Sequence, residues 1–315
     1  MNWWQKMQGK PLLARPAVAA DRPALAELLA RTRRRHGPLA LEDQVALLNS
    51  GVSSLAVMEE EAVGFLGIQP RADTPVQAGF DDPTPGSGPI PAGHQCWADV
   101  MMAVVAPGWG AGRTLATLLD ASLPGLAVRG VTALVCLTDQ DWLADALLQA
   151  RFAETDRVVT YTRWNKGPLP DAAPIATLRK AGPADADTVL ELNAAAFSPL
   201  WRYDAATTLS WLLTADHAIL AERDGRPLGF ALTNRAIGGE CAQLIRLAVH
   251  PASQGQGIGR QLVADAMAYA WQHGAPGLTL NTQVSNAPAR RLYESLGFRI
   301  SGPAVMVMVY VVSNE

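Results

Sequence analysis

The sequence contains few cysteines, no basic excess and no long hydrophobic run. Its three cysteines (Cys96, Cys136 and Cys241) lie far apart, which excludes a cysteine-ligated zinc site and a disulfide framework. The 26 lysines and arginines against 29 acidic residues give a net charge of −3, without the surplus that sequence-independent nucleic-acid binding requires. The longest apolar stretches are strand-sized, and the first ten residues lack the apolar region of a signal peptide. We therefore predict a cytoplasmic protein with no metal and no membrane partner.

The two halves of the chain resemble each other. At 315 residues, 49% of them hydrophobic, the chain is long enough for two folded domains. In each half a short predicted strand ends at an arginine, Arg15 or Arg179, and an aspartate follows six residues later, Asp21 or Asp185. We expect each aspartate to cap the next helix by accepting hydrogen bonds from its free N–H groups. Repeats of this size indicate duplication of a whole domain.

Composition and periodicity predict the boundaries of the two domains. The segment 165–174 contains three prolines and a glycine and is predicted to be a linker between domains 11–164 and 175–315. A second stretch rich in proline and glycine, at 70–93, is predicted to be an inserted surface loop. Each half has the order strand, helix, a second helical piece, hairpin, strand, helix, strand, helix and strands. This order predicts a mixed α/β fold with helices flanking a largely antiparallel sheet.

The most informative segment is a glycine-rich turn between a strand and an amphipathic helix. It reads Gln254-Gly-Gln-Gly257-Ile-Gly259-Arg260. Glycines let the main chain turn tightly, and the unpaired N–H groups at a helix start favour phosphate oxygens, so the segment predicts a diphosphate site. A nucleotide P-loop would end in Gly-Lys-Ser/Thr, where this chain has Gly-Arg-Gln, and a dinucleotide fingerprint would need a glycine in place of Arg260.

The pattern Gln-x-x-Gly-x-Gly resembles the coenzyme A pyrophosphate loop of the GNAT N-acetyltransferase superfamily. A second segment, 280–298, resembles that family's strand, asparagine turn and closing helix, with Asn286 before the helix and Tyr293 within it. The resemblance covers 175–310 well and 12–163 more loosely. It implies two GNAT-like α/β domains in tandem with a degenerate N-terminal copy, an arrangement similar to that of mycothiol synthases.

The resemblance also implies an activity and a set of site residues. Acetyl-CoA would be the cosubstrate, and a primary amine would attack its thioester through a tetrahedral oxyanion that backbone N–H groups near Ala248–Val249 stabilise. Tyr293 would protonate the leaving thiolate, since a phenol of pKa about 10 suits a thiolate of pKa about 8–9. Asn286 would contact the coenzyme A arm. The other positions assigned to coenzyme A are Leu247, Ala248, Val249, Gln254, Gly255, Gln256, Gly257, Ile258, Gly259 and Arg260.

The first half departs from the family pattern at each of these features. Its glycine segment around Gly110 is three residues shorter, and Leu147 and Gln140 occupy the positions of Tyr293 and Asn286. A shorter turn presents fewer N–H groups to a diphosphate. We therefore expect weak or absent coenzyme A binding in the first half, which would be a scaffold or part of the acceptor site. A second working site is the alternative.

The second half departs from the pattern at the general base. Gln243 and Asn281 stand where relatives carry a carboxylate, and neither amide accepts a proton usefully at neutral pH. The base is then a water relay or one of four side chains, Glu240, Glu222, Asp204 or His250. The missing carboxylates also leave open another class of function, a coenzyme A-binding sensor or structural protein without turnover.

Two further segments have competing interpretations. The basic run 31–36 resembles a solvated helix end, with contact to RNA as the less favoured alternative. An aromatic cluster lies where relatives shape the acceptor pocket, and ordinary core packing is its alternative. Its members are Phe197, Leu200, Trp201, Tyr203 and Trp211. The acceptor itself, a small-molecule or peptide amine, is not identified by the sequence, because acceptor specificity lies in loops and pocket shape.

Overall fold

The computed structural model describes two compact units. The described residues are 12–38, 40–71, 96–235, 238 and 240–312. The first unit comprises residues 12–71, 96–156 and 305–312, and the second comprises residues 157–304. The predicted surface loop at 70–93 lies outside the described residues beyond Arg71. The domain and linker boundaries at 11–164, 165–174 and 175–315 stay a prediction.

The first unit is a sheet with helices α1 to α4 connecting its strands. Its elements are β1 (Leu13–Pro16), α1 (Arg22–Arg31), β2 (Arg35–His36), α2 (Leu41–Leu48), β3 (Ser54–Met58), β4 (Glu61–Pro70), β5 (Cys96–Val105), α3 (Ala111–Val128), β6 (Val131–Thr138), α4 (Asp141–Gln149) and, from the end of the chain, β14 (Val305–Val311). The strand order is β1-β3-β4-β5-β6-β14, and β2 pairs with β5. Among the strand pairs described in this unit, β5 and β6 alone run parallel.

The second unit repeats this plan. Its elements are residues 157–164 of β7 (Ala153–Trp164), β8 (Thr177–Lys180), α5 (Ala186–Ala196), α6 (Ala205–Thr214), β9 (His217–Arg223), β10 (Arg226–Asn234), β11 (Ala242–Val249), α7 (Ile258–Gln272), β12 (Gly277–Gln283), α8 (Ala287–Ser295) and β13 (Arg299–Ile300). The strand order is β7-β12-β11-β10-β9-β8, and β13 pairs with β7. Of the pairs formed by the described residues of this unit, β11 with β12 is the parallel one and the others are antiparallel. The prediction of a mixed α/β fold with a largely antiparallel sheet is confirmed.

Each sheet contains a strand from the other half of the sequence. β7 follows α4 of the first repeat, yet it pairs with β12 from Val158–Gln283 to Trp164–Gly277. β14 follows α8 and β13 of the second repeat, yet it pairs with β6 from Met306–Thr138 to Val311–Ala133. The hydrogen bonds that complete each sheet therefore join residues far apart in sequence.

Apolar side chains on both faces of the second sheet form its core. On one face, residues of α7 and α8 such as Leu262, Met267 and Tyr293 pack with Leu244 and Leu278. On the other face, residues of α5 and α6 pack with strands β9, β10 and β11. The buried members of this second cluster are Ala181, Val189, Leu192, Leu212, Ala218, Leu220, Phe230, Leu232 and Ala248. β11 thus contributes side chains to both layers.

A helix that crosses a bilayer needs about twenty consecutive, mostly apolar residues. None of the helices in the described part of the chain combines the length and the apolar content needed to cross a membrane.

The two aspartates at the start of the repeats do not cap helices as expected. No side-chain hydrogen bond joins Asp21 to the N–H groups of α1, or Asp185 to those of α5. Each carboxylate instead accepts from the amide three residues before it and from an arginine, with 2.6 Å between Arg15 Nη2 and Asp21 Oδ1. The Arg179–Asp185 pair repeats this at 2.7 Å. A charged guanidinium is a stronger donor than a helix amide, so the prediction of helix caps was wrong.

We expect Asp21→Asn to lower the free energy of unfolding by about 1–2 kcal/mol at neutral pH, since it breaks a bidentate charged pair at a largely buried carboxylate. The pair with Arg15 holds the pKa of Asp21 below its usual value. This stabilisation is therefore present above the unfolded pKa of about 4 and disappears as the pH falls through the lower folded value. Urea denaturation at neutral and acidic pH tests this, with Asp120→Asn on an exposed position of α3 as the control. Equal effects of the two variants at neutral pH would contradict it.

Candidate functional site

The glycine turn before α7 presents a series of free main-chain amides. Gly255 and Gly257 adopt φ angles of 74° and 89°, a left-handed conformation that other residues adopt at a cost. α7 begins at Ile258, and its first closing bond is donated by Gln261 to the Gly257 carbonyl at 3.1 Å. Within the described residues no backbone carbonyl accepts from the amides of 255–260. A helix start with free amides suits an anion such as a diphosphate.

The side chains of the turn hold the turn itself. Gln254 Nε2 donates to the Val249 carbonyl at 3.1 Å, and Gln256 Oε1 accepts from Arg223 Nη1 at 3.1 Å. Arg260 was predicted to open the helix beside a diphosphate. Its Nε donates to the Asp171 carbonyl at 3.0 Å, and its Nη1 lies 3.3 Å from Ser295 Oγ. The loop can therefore bind an anion through its main-chain amides. The side chain of Arg260 is instead hydrogen-bonded to Asp171 and Ser295.

β11 separates from β12 shortly before this turn. The two parallel strands pair only at Ala242–Leu278 and Gln243–Thr279. Beyond that point, a bulge gives β11 one residue more than β10, because Arg246 pairs with Leu232 while Leu244 pairs with Thr233. A bulge of this kind bends the strand and interrupts its ladder.

The separation leaves one edge of β11 open. His250 donates its amide to the Leu228 carbonyl of β10 at 2.8 Å. Because alternate residues of an antiparallel strand bond to opposite sides, Ala248 also faces β10, whereas the amides and carbonyls of Leu247 and Val249 face away from it. The Val249 carbonyl accepts from Gln254 Nε2, so the cleft between β11 and β12 exposes the two amides and the Leu247 carbonyl, which suit an extended ligand.

Asn286 and Tyr293 lie in segment 280–298, the second of the two motifs found in the sequence. Asn286 caps α8, its Oδ1 accepting from the Ala289 amide at 3.2 Å. Tyr293 is 6% exposed and packs between the rings of Tyr161 and Phe298, each 6.0 Å away between centroids. Burial raises the pKa of the Tyr293 phenol, so it stays protonated at neutral pH.

The two neighbouring tyrosines differ in the state of their hydroxyl groups. Tyr161 donates to Glu294 Oε1 at 2.6 Å and accepts from Arg290 Nε at 3.3 Å. No partner for the Tyr293 hydroxyl is present in the described part of the chain, and this oxygen is not among the fully buried atoms that lack a partner. The Tyr293 hydroxyl is therefore uncommitted and reachable.

The side chains considered as the general base differ in their engagement. Glu222 lies 2.8 Å from Arg179 Nη2, and Asp204 caps α6 by accepting from the Thr207 amide at 2.7 Å. His250 Nδ1 accepts from the Ala252 amide at 3.3 Å. Glu240 is exposed beside the start of β11.

Gln243 and Asn281 do not replace the missing carboxylate. Gln243 is exposed near the start of β11, and Asn281 Oδ1 accepts a hydrogen bond from Thr160 Oγ1 at 2.9 Å. Neither of these two positions supplies a general base.

Arg246 is a candidate functional residue that the sequence reasoning missed. It is 8% exposed, and its guanidinium carbon lies 3.3 Å from the centroid of the Phe197 ring and 4.8 Å from that of Tyr203. Asn193 Oδ1 and the Trp201 carbonyl accept hydrogen bonds from it. Part of the predicted aromatic cluster thus surrounds a buried cation. An arginine within the apolar run of β11 was the available signal.

In the first unit, β5 also separates from β6, but another segment of the same unit pairs with the open edge of β5. β5 and β6 pair only from Cys96–Val131 to Asp99–Val135, and a bulge between Val100 and Met102 matches the bulge in β11. Met102 therefore corresponds to Arg246.

The short strand β2 lies along the open edge of β5. His36 pairs with Ala103, Arg35 pairs with Val104, and the Val105 amide donates to the Arg34 carbonyl at 3.1 Å. By the bulge alignment, Ala103 and Val105 correspond to Leu247 and Val249. Part of the basic run 31–36 is therefore a strand rather than a solvated helix end.

The connection before the first unit's long helix is also shorter. It contains residues 106–110, against residues 250–257 before α7. Gln140 caps α4 without a side-chain bond to its amides, and Leu147 is buried in the core. These features agree with the departures seen in the sequence.

Comparison with known proteins adds to this geometry. Residues 186–298 match the Acetyltransferase (GNAT) family. A mycothiol acetyltransferase of Acidothermus cellulolyticus is 35% identical over 164 residues, which cover 44% of this chain and 48% of that protein. The chain spans about half the length of the curated relatives it matches.

Solved structures share the fold over nearly the whole chain. A GCN5-related N-acetyltransferase from Sphaerobacter thermophilus has a TM-score of 0.59 at 17% identity and covers 96% of both chains. A tandem GNAT protein from the clavulanic acid biosynthesis pathway has a TM-score of 0.57 at 15% identity, covering 97% of this chain and 100% of that one. The chain thus shares its fold with GNAT proteins, a tandem one among them, and residues 186–298 match the family that the glycine turn and the asparagine–tyrosine segment resemble.

Proposed function

We propose that the chain is an acetyl-CoA-dependent N-acetyltransferase whose working site lies in the second unit. The observation that carries this proposal is the open edge of β11 at Leu247 and Val249, next to the free amides of 255–260. Coenzyme A has a diphosphate at one end and two amide groups along its extended arm. The chain offers amides for the first and strand-like donors and acceptors for the second.

The reaction would be direct transfer. The neutral amine attacks the thioester carbon, the tetrahedral oxyanion collapses, the carbon–sulfur bond breaks, and the thiolate leaves. One proton is lost from the nitrogen and one is gained by the sulfur, so the reaction is balanced without a metal. The Val249 amide faces the cleft and is suited to stabilise the oxyanion, whereas the Ala248 amide faces β10.

Tyr293 is the proposed acid for the leaving thiolate. Its hydroxyl is uncommitted, unlike that of Tyr161. Burial raises the pKa of this phenol above its usual value, so at neutral pH the group carries the proton that it would donate. The base for the amine is a water relay or one of the four side chains Glu240, Glu222, Asp204 and His250. The last three each hold a structural hydrogen bond. Glu240 holds none within the described residues, but it lies seven residues before Leu247 along the chain.

The acceptor is a primary amine on a small molecule or peptide. Mycothiol acetyltransferases are among the relatives, but the match covers only about half of each chain. The second unit alone is proposed to bind acetyl-CoA, because β2 pairs with the edge of β5 that corresponds to Leu247 and Val249.

We expect isothermal titration of the full chain with acetyl-CoA to give one site. Gly257→Glu should abolish binding, because it adds a negative charge and a strained φ at the diphosphate amides. Gly110→Glu is the matched control at the start of α3, where φ is −70° and the added side chain has open space. Two sites, or equal loss in both variants, would contradict a single site in the second unit.

We expect Tyr293→Phe to lower kcat by tens to thousands of times and to leave acetyl-CoA affinity nearly unchanged, because it removes a proton donor but little packing surface. Thiol release with an amine panel measures the first quantity, and titration measures the second. Tyr161→Phe removes the neighbouring hydroxyl, which is bonded to Glu294, and should change kcat only by a few-fold. Equal turnover in the wild type and Tyr293→Phe would exclude the acid role.

A further inference from the structure

Arg246 is a buried cation without a carboxylate partner. Its side chain lies on β11 against α5 and the connection 197–204, and the residue is 8% exposed. No aspartate or glutamate in the described part of the chain forms a salt bridge with it. Burial lowers its pKa to about 10, so the guanidinium remains charged at neutral pH. A buried charge left uncompensated is strongly destabilising.

The protein supplies only part of the compensation. Arg246 Nε and Nη2 donate to Asn193 Oδ1 at 3.0 and 2.7 Å, and Nη2 also donates to the Trp201 carbonyl at 2.8 Å. The Phe197 ring covers one face of the guanidinium. These groups are neutral acceptors and a ring, so none of them neutralises the charge.

One nitrogen of the guanidinium remains available. Nη1 has no hydrogen-bond partner within the described residues, and it is not among the fully buried atoms without a partner, so it retains access to solvent. Asn193 and Trp201 fix the other nitrogens, which holds Nη1 in one orientation. The side chain is therefore a preorganised donor beside the rings of Phe197 and Tyr203.

Arg246 lies next to the proposed reaction site. The bulge at Ile245 gives β11 an extra residue and directs Arg246 towards α5. The next residue, Leu247, exposes its main chain in the cleft proposed for acetyl-CoA. The Cα atoms of consecutive residues are about 3.8 Å apart, so Arg246 stands on the α5 face directly beside this edge of the cleft. We take a group bound by Arg246 and the amine at the cleft to belong to one small molecule.

Resting on the proposed function, we infer that the acceptor amine also carries a carboxylate, which Arg246 Nη1 binds beside the rings of Phe197 and Tyr203. The single negative charge of a carboxylate would neutralise the uncompensated positive charge of Arg246. A phosphate dianion would need further donors, whereas Nη1 offers only its own two hydrogens because Nη2 is already bonded twice. The second unit would therefore acetylate amino acid-like molecules.

The test compares matched pairs of acceptors. The full chain is assayed for kcat/KM with the twenty common amino acids, β-alanine and 4-aminobutyrate, each beside its carboxamide. Amidation lowers the pKa of the amine and raises its reactive neutral fraction, so a preference for the free acid reports recognition. We expect the wild type to prefer at least one acid by about tenfold or more. Arg246→Met should remove the preference and leave acetyl-CoA affinity unchanged.

Two controls separate recognition from folding. Arg226→Met removes an exposed arginine of the same unit and should retain the preference. Arg246→Lys keeps a cation but loses the planar fork, and should retain part of it. A wild type that uses an acid and its carboxamide equally well overturns the inference, whatever the solubility of the variants. A preference that survives in folded Arg246→Met also overturns it.

Different results would contradict the carboxylate site at Arg246 and the transferase activity. If no amine releases coenzyme A from acetyl-CoA, the transferase proposal fails, and quenching of tryptophan fluorescence by the same pairs then tests Arg246 alone. Binding of an acid but not its carboxamide, lost in Arg246→Met, supports the carboxylate site without any turnover. If no acid in the panel is bound or acetylated, the inference is wrong.

Discussion

The separation of β11 from β12 after two paired residues is the constraint on which the second unit depends. Two central strands that run parallel and then diverge leave main-chain donors and acceptors without partners inside the fold. Such groups are costly unless something bonds to them. The bulge at Ile245 bends β11 away, and the glycine turn lies at the end of the same strand. Strand edge, free amides and Tyr293 thus belong to one arrangement.

The two units differ in what lies beside the strand that separates from its parallel neighbour. In the first unit, the connection between α1 and α2 lies against β5 as β2, and Gly37 makes this possible with a φ of 108° and close contact with the Met101 and Met102 main chain. In the second unit, the corresponding connection between α5 and α6 carries Phe197, Trp201 and Tyr203 to Arg246. One connection occupies the edge of the strand, and the other surrounds a cation beside it.

Local patterns in the sequence were sufficient for the fold, and the site residues that they name stay a prediction. The glycine turn, Asn286 and Tyr293 lie together in consecutive motifs, and the order of strands and helices follows from periodicity. The assignment of Asp21 and Asp185 as caps was wrong because an arginine six residues earlier competes for the same carboxylate. That competition depends on chain geometry, which residue types alone do not give.

Features that depend on long-range pairing were not visible in the sequence. In the sequence, Arg246 is a single charged residue within a strand, and nothing indicates that it is buried. The bulge and the ring of Phe197, which define its surroundings, are seen only in the structure. β2 is two residues long and carries no strand pattern, and its pairing with β5 joins positions about seventy residues apart. The partner of β7 could not be read from its own sequence for the same reason.

The exchange of strands bears on how such a protein changes over evolutionary time. A gene that lost its first half would lose β7, and β12 would be left with an exposed edge beside the strand that leads to the glycine turn. Substitutions can therefore accumulate at positions such as Leu147 and Gln140 without the whole copy becoming dispensable. The first half is retained as a structural complement of the second, and fragments cut within 165–174 would each be deprived of a strand.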